Sequence, residues 1–216
     1  MELDEVIRGA GTCRYFTDDP VGDEELRPLF DAARFGPQGG NRQPVRWIVV
    51  RDPAVKRQLK DWYLQPWKAY YEGVLSGNVK VLAKRQVVED ANHFAVHFDR
   101  VPVIVVVCAS LPDLTATDKD LDRVGIVGGG SVYPSVQNLL LKARDVGLGA
   151  ALTTLLVSFE PKLKELFELP EDVAIAGTIS IGYPERNLPR RLTRQPLEEL
   201  VYNERFGEPL FAGADA

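Results

Sequence analysis

Gly36-Pro37-Gln38-Gly39-Gly40-Asn41-Arg42-Gln43-Pro44-Val45-Arg46-Trp47-Ile48-Val49-Val50 is the stretch from which the rest of the chain can be read. Its glycine- and proline-rich first part predicts a loop. Val45 to Val50, largely β-branched and aromatic, predicts a strand. Upstream, Leu26, Leu29, Phe30 and Ala33 keep helical spacing behind Asp23, the candidate N-cap. Downstream, Asp52-Pro53 reads as a cap followed by a proline at the first helical position. Helix, loop, strand and helix thus follow in quick succession.

The same alternation runs from end to end. A short helix is expected over Leu3 to Arg8. Val101 to Cys108 is apolar and β-branched apart from Pro102, the signature of a strand covered on both faces. After Ser131, apolar residues from Val132 to Val146 recur at helical intervals; Gly147 ends that helix and Leu148-Gly149 turns the chain. Val173 to Gly182 gives a last strand, closed by Tyr183-Pro184. With no repeat, low-complexity tract or flexible linker, residues 1–216 read as a single α+β domain, a modest sheet with helices around it. Two regions break the pattern. Five aromatics (Trp62, Tyr63, Trp67, Tyr70, Tyr71) crowd between Asp61 and Glu72, and residues 192–216 form a polar tail that either reaches over a neighbouring subunit or frays.

Bulk properties exclude several classes. The chain has 216 residues, 45% of them hydrophobic, enough for one sizeable core. With 31 acidic against 26 basic side chains the net charge is −5, the wrong sign for a nucleic-acid surface. No apolar run approaches the roughly 20 residues a membrane span needs. The acidic start, Met1 to Glu5, lacks the features of a signal peptide. Cys13 and Cys108 form neither a disulfide framework nor a metal-ligand pattern. A reducing cytoplasm is the expected setting.

Familiar catalytic sets are missing: there is no Walker loop and no Gly-x-Gly-x-x-Gly behind a strand. Gly128-Gly129-Gly130-Ser131 either opens backbone N–H groups to a ligand or acts as a flexible cap. His93 and His97 have metal-ligand spacing but no supporting carboxylates or cysteines, so packed or solvated rings are the default and no metal is expected. Asn41 and Gln43 offer the donors and acceptors that a flavin's pyrimidine edge would match, although a plain turn favours the same residue types. Arg14 and Arg194 are unremarkable singly and would be a phosphate-binding pair together.

Four segments in this order resemble the nitroreductase family of FMN-dependent oxidoreductases. They are Arg14-Tyr15-Phe16 with Pro20-Val21; Pro37 to Pro44 with Trp47; Gln137 to Arg144 with Gly147-Leu148-Gly149; and Ile181-Gly182-Tyr183-Pro184 with Arg194-x-Pro196-Leu197-Glu198-Glu199. The resemblance implies a mostly antiparallel central sheet surrounded by helices, in a homodimer with FMN bound at the interface. It implies that Thr12 and Arg14 contact the phosphate and ribityl region and that Arg194 closes over the phosphate. Gln38, Asn41 and Gln43 would come from the partner subunit. Leu152, Thr153 and Thr154 would lay backbone along the isoalloxazine and offer an N–H to its N5.

Departures from the family pattern are also specific. Ala10 replaces a usual basic residue, for which Arg8 or Arg191 are the candidate substitutes. Gln38 replaces a serine and Val45 a tryptophan. Ala150-Ala151-Leu152-Thr153-Thr154 stands where many members carry Glu-Gly. The implied activity is ping-pong hydride transfer from NAD(P)H to a small acceptor such as a nitroaromatic, quinone or enone, with no catalytic side chain required. Residues from about 62 to 100 are expected to roof the cleft. The alternatives are a flavin-binding sink or sensor without turnover, and a structural dimer that has lost FMN.

Overall fold

The computed structural model describes residues 1–81 and 84–211. At its centre lies β2 (Val103–Ser110), buried from Val103 to Ala109. It is flanked by β1 (Val45–Val50) and β4 (Val173–Gly182), and β3 (Gly149–Thr153) pairs with the far side of β4. The order is β1-β2-β4-β3 and every pairing is antiparallel. The α+β class and antiparallel sheet expected above are what the chain forms.

Successive side chains of a strand point to opposite faces, so β2 serves two cores. Val103, Val105 and Val107 pack with Leu29 and Leu139, which come from α2 (Asp23–Ala33) and α5 (Tyr133–Asp145). Ile104, Val106 and Cys108 face the other way, against Leu59, Tyr63 and Phe98. Leu59 and Tyr63 belong to α3 (Pro53–Leu75), against which α4 (Arg85–Val96) packs. Fully burying an aliphatic side chain of this size contributes about 1.5–3 kcal/mol, which explains why β2 carries no polar side chain before Ser110. The remaining helices are α1 (Leu3–Gly9) and α6 (Glu160–Leu166). Among the described residues no helix is long and apolar enough to cross a membrane.

β1 and β4 occupy their expected ranges, and Asp52 caps α3 by accepting from the Ala54 and Val55 N–H groups at 2.8 and 3.0 Å. Elsewhere the boundaries move for local reasons. β2 starts at Val103, beyond Pro102, whose ring packs against Gly182 and which has no N–H to give a ladder. Asp23 is the first residue of α2 and not its cap; Gly22 holds that position, with no side-chain bond. Gly147 (φ 86°) ends α5 as expected, but from Gly149 the chain becomes a strand. The alanines of β3 carry little strand preference of their own, and pairing on β4 supplies it: Ala150 lies opposite Ile181 and Leu152 opposite Ile179.

Candidate functional site

The outer edge of β3 is covered in part by the N-terminal segment. The Cys13 N–H donates to the Ala150 carbonyl at 2.9 Å, the Thr17 N–H donates to the Tyr183 carbonyl at 2.9 Å, and Phe16 bridges to Pro184. Gly149 makes this approach possible, because a Cβ there would lie 2.5 Å from the Cys13 sulfur. Backbone polar groups alternate sides along a strand. Leu152, two residues beyond Ala150, therefore turns its N–H and carbonyl toward the same open edge.

Thr12, Arg14, Leu152 and Thr153 come together around a hollow of about 270 Å³, with Tyr63 and Trp67 also in its walls. Burial pushes the Tyr63 phenol up, so it stays protonated, and the Thr153 hydroxyl donates to its oxygen at 3.3 Å. No hydrogen bond or ion pair to another described residue holds the Arg14 guanidinium, which also borders a neighbouring cavity. A second hollow, of about 280 Å³, shares Thr12 and Leu152 with the first and extends past Ala10 and Gly11 to Arg144. Each is smaller than the roughly 300–1,000 Å³ of a complete ligand site. Aromatic walls and a guanidinium in one hollow suit a molecule with a flat ring and an anionic group.

The amide loop stands at the opposite edge of the sheet, just before β1. Gly40, Asn41 and Gln43 have φ of 61°, 52° and 52°, and Asn41 and Gln43 are exposed. Such left-handed conformations cost non-glycine residues about 1–2 kcal/mol each, somewhat less for Asn. The loop is nonetheless braced from behind: the Gly39 N–H donates to Ser131 Oγ at 3.0 Å, and Arg46 donates to the Gln43 carbonyl at 2.7 Å. The Gly128–Ser131 stretch thus lies in a 3-10 turn behind the loop. Gln38 points inward to Ser135 at 3.5 Å, and its Oε1 is buried without a partner. Between the β1 and β3 edges lie three strand spacings, about 14 Å. Within one chain, then, the arginine group and the amide group belong to different surfaces.

Other expected residues lie apart. Thr154 is exposed just past β3, and Arg191 and Arg194 are exposed outside both hollows, Arg194 donating to the Thr193 carbonyl at 2.8 Å. His93 and His97 lie with ring centroids 4.2 Å apart and planes tilted by 35°, and His93 stacks on Tyr15 at 4.4 Å. Both histidines wall the neighbouring cavity of about 390 Å³. Burial, then the His97 and Arg186 charges, hold His93 below its ordinary value. Burial pushes the thiols of Cys13 and Cys108 up to about 11, which leaves neither a ready nucleophile near neutrality. Arg144 was not singled out in the sequence; nothing but its place in the fold distinguishes it from other helix-end arginines.

Comparison with known proteins agrees with this architecture. The nitroreductase family model matches residues 7–183. An NADH dehydrogenase of Thermus thermophilus is 26% identical, over 87% of this chain and 89% of its own. The structure of a nitroreductase from Desulfovibrio desulfuricans in complex with FMN is 25% identical with a TM-score of 0.66, covering 95% of this chain and 98% of its own. Iodotyrosine deiodinase bound to FMN and 3-iodo-L-tyrosine shares the fold with a TM-score of 0.72 at 21% identity, covering 94% and 98%.

Proposed function

The chain belongs to the nitroreductase family, and we propose that it is a homodimeric, FMN-dependent oxidoreductase carrying hydride from NAD(P)H to a small oxidised acceptor. The observation that carries this reading is the uncommitted Arg14 guanidinium, held beside Thr12, Leu152 and Thr153 in a hollow with aromatic walls. Bound FMN would supply the redox chemistry, in two half-reactions that use one face in turn. The residues present fit that group. Arg14 and Thr12 offer a charge-assisted donor and a hydroxyl toward its ribityl phosphate. Leu152 offers a backbone N–H at the open edge of β3, in the segment running on to Thr153 and Thr154, while Tyr63 and Trp67 flank the ring.

Asn41, Gln43 and Gln38 would complete the site from a second copy. Support comes from the separation of the two edges and from apolar side chains that one chain leaves uncovered. Val124 and Ile126 are 84% and 72% exposed in the loop before α5, and Phe206 is 93% exposed in the C-terminal segment. In this reading residues 192–216 lie across the partner and bring Arg194 toward the phosphate; residues 212–216 fall outside the described part. The segment from about 62 to 100, of which 82 and 83 are likewise not described, roofs the acceptor. Nitroaromatics, quinones and enones are the acceptor classes that a flat, aromatic-walled cleft suits. The cytoplasm is the proposed setting.

An anaerobic visible spectrum of the purified protein, before and after NADH or NADPH, tests the proposal. A yellow protein bleached by one donor supports it. A yellow protein that neither donor bleaches would point instead to a flavin sink or sensor. A colourless protein that cannot be reconstituted with FMN would overturn the flavin assignment.

A further inference from the structure

The family pattern has a basic residue where this chain has Ala10, and neither expected substitute reaches the gap. Arg8 is committed to Asp4, its Nε 2.7 Å from the carboxylate, and Arg191 is exposed and lines neither hollow. Arg144, in the last turn of α5, is placed differently. Its side chain borders the hollow of about 280 Å³ together with Ala10, Gly11 and Thr12. One terminal nitrogen donates to the Pro189 carbonyl at 3.2 Å, while Nε is buried with no hydrogen-bond partner. No described carboxylate pairs with this guanidinium, although the adjacent Asp145 is tied to Lys142 at 2.7 Å.

A guanidinium that borders a hollow and has no described carboxylate to neutralise it favours an anion entering that hollow. The space freed by Ala10, the Thr12 hydroxyl and the unneutralised Arg144 together suit a phosphate monoester, whose oxygens a guanidinium can engage through more than one N–H. The sharing of Thr12 and Leu152 with the aromatic-walled hollow places this cation on the tail side of the ring site. We propose that Arg144 is a phosphate-binding residue of this chain, supplying from α5 the charge that position 10 lacks, and so setting its preference for FMN over riboflavin. The inference rests on the FMN reading of the adjoining hollow.

Riboflavin lacks only the phosphate, so it separates the two ideas. Both flavins are titrated into flavin-stripped full-length protein, wild type and R144Q, by fluorescence quenching. R144Q should weaken FMN about 30-fold, within the range for a hydrogen-bonded charge, and leave riboflavin unchanged. R144K should keep most of the FMN preference, and adding Ala10→Arg to R144Q should restore part of it. An unchanged FMN-to-riboflavin ratio in R144Q, beside a wild type that prefers FMN, overturns the role of Arg144 and leaves the flavin site standing. A wild type that binds neither flavin overturns both. Should R144Q fail to fold by circular dichroism, Ala10→Arg in the wild-type background decides. A second cation should raise the ratio if phosphate occupies this hollow, and no change overturns the proposal.

Discussion

The β3 edge and the β1 edge each carry polar groups aimed outward, but they are held in opposite ways. At β3 the segment from Thr12 to Thr17 is stitched to Ala150 and Tyr183 through unstrained backbone bonds, and Arg14 projects from that base with no partner among the described residues. At β1 the strain sits in the backbone, with left-handed Asn41 and Gln43 held up by Ser131 and Arg46. One edge has a settled backbone and an uncommitted charge; the other has a strained backbone and exposed amides. Strain that is kept on a surface loop, beside a buried and unpartnered Gln38 Oε1, calls for something that uses the resulting geometry. In our account the two edges are complementary halves, brought together when one copy's β1 edge meets the other copy's β3 edge.

Substitutions at the two edges should therefore behave differently. Arg14→Ala should have the larger effect on flavin, about 10–150-fold weaker FMN retention from the loss of a charged hydrogen-bonding group. Its melting temperature should hardly move, because the side chain bonds no other described residue; calorimetry and flavin titration on one preparation check both. A large fall in melting temperature with normal flavin affinity would reverse the comparison. Gln43→Gly should act in the other sense. Relief of the left-handed conformation should stabilise the chain by about 1 kcal/mol, or about 2–4 °C in a protein of this size. Loss of the amide should weaken FMN about tenfold. A melting temperature that falls would show that the loop is not strained as described.

The sequence made much of the frame legible, because β1, β4 and the two-sided burial of β2 follow from β-branched runs bounded by glycine and proline. It did not announce β3, whose alanines become a strand only by pairing with β4. Nor did it show that Tyr63 and Trp67 of the aromatic cluster are core residues as well as pocket walls. The grouping of Thr12, Arg14, Leu152 and Thr153 came from the resemblance, and the fold brings those four together. Asn41 and Gln43 were equally visible as residue types, but their distance from Arg14 depends on strand order, which no local pattern contains. Arg144 was illegible for a related reason: helix periodicity places it near the end of α5, and only the packing of that end against Gly9 and Pro189 turns it toward Ala10.

The account stands or falls on whether the two edges act in trans. Arg14→Ala chains and Asn41→Ala/Gln43→Ala chains, carrying different tags, can be co-expressed and the mixed dimer isolated by sequential affinity steps. Each parent should purify without flavin. The mixed dimer carries one site with both defects and one with neither, so its absorbance should report about one FMN per two chains. A mixed dimer as colourless as its parents, with correct folding and assembly, would contradict a site shared between the two edges.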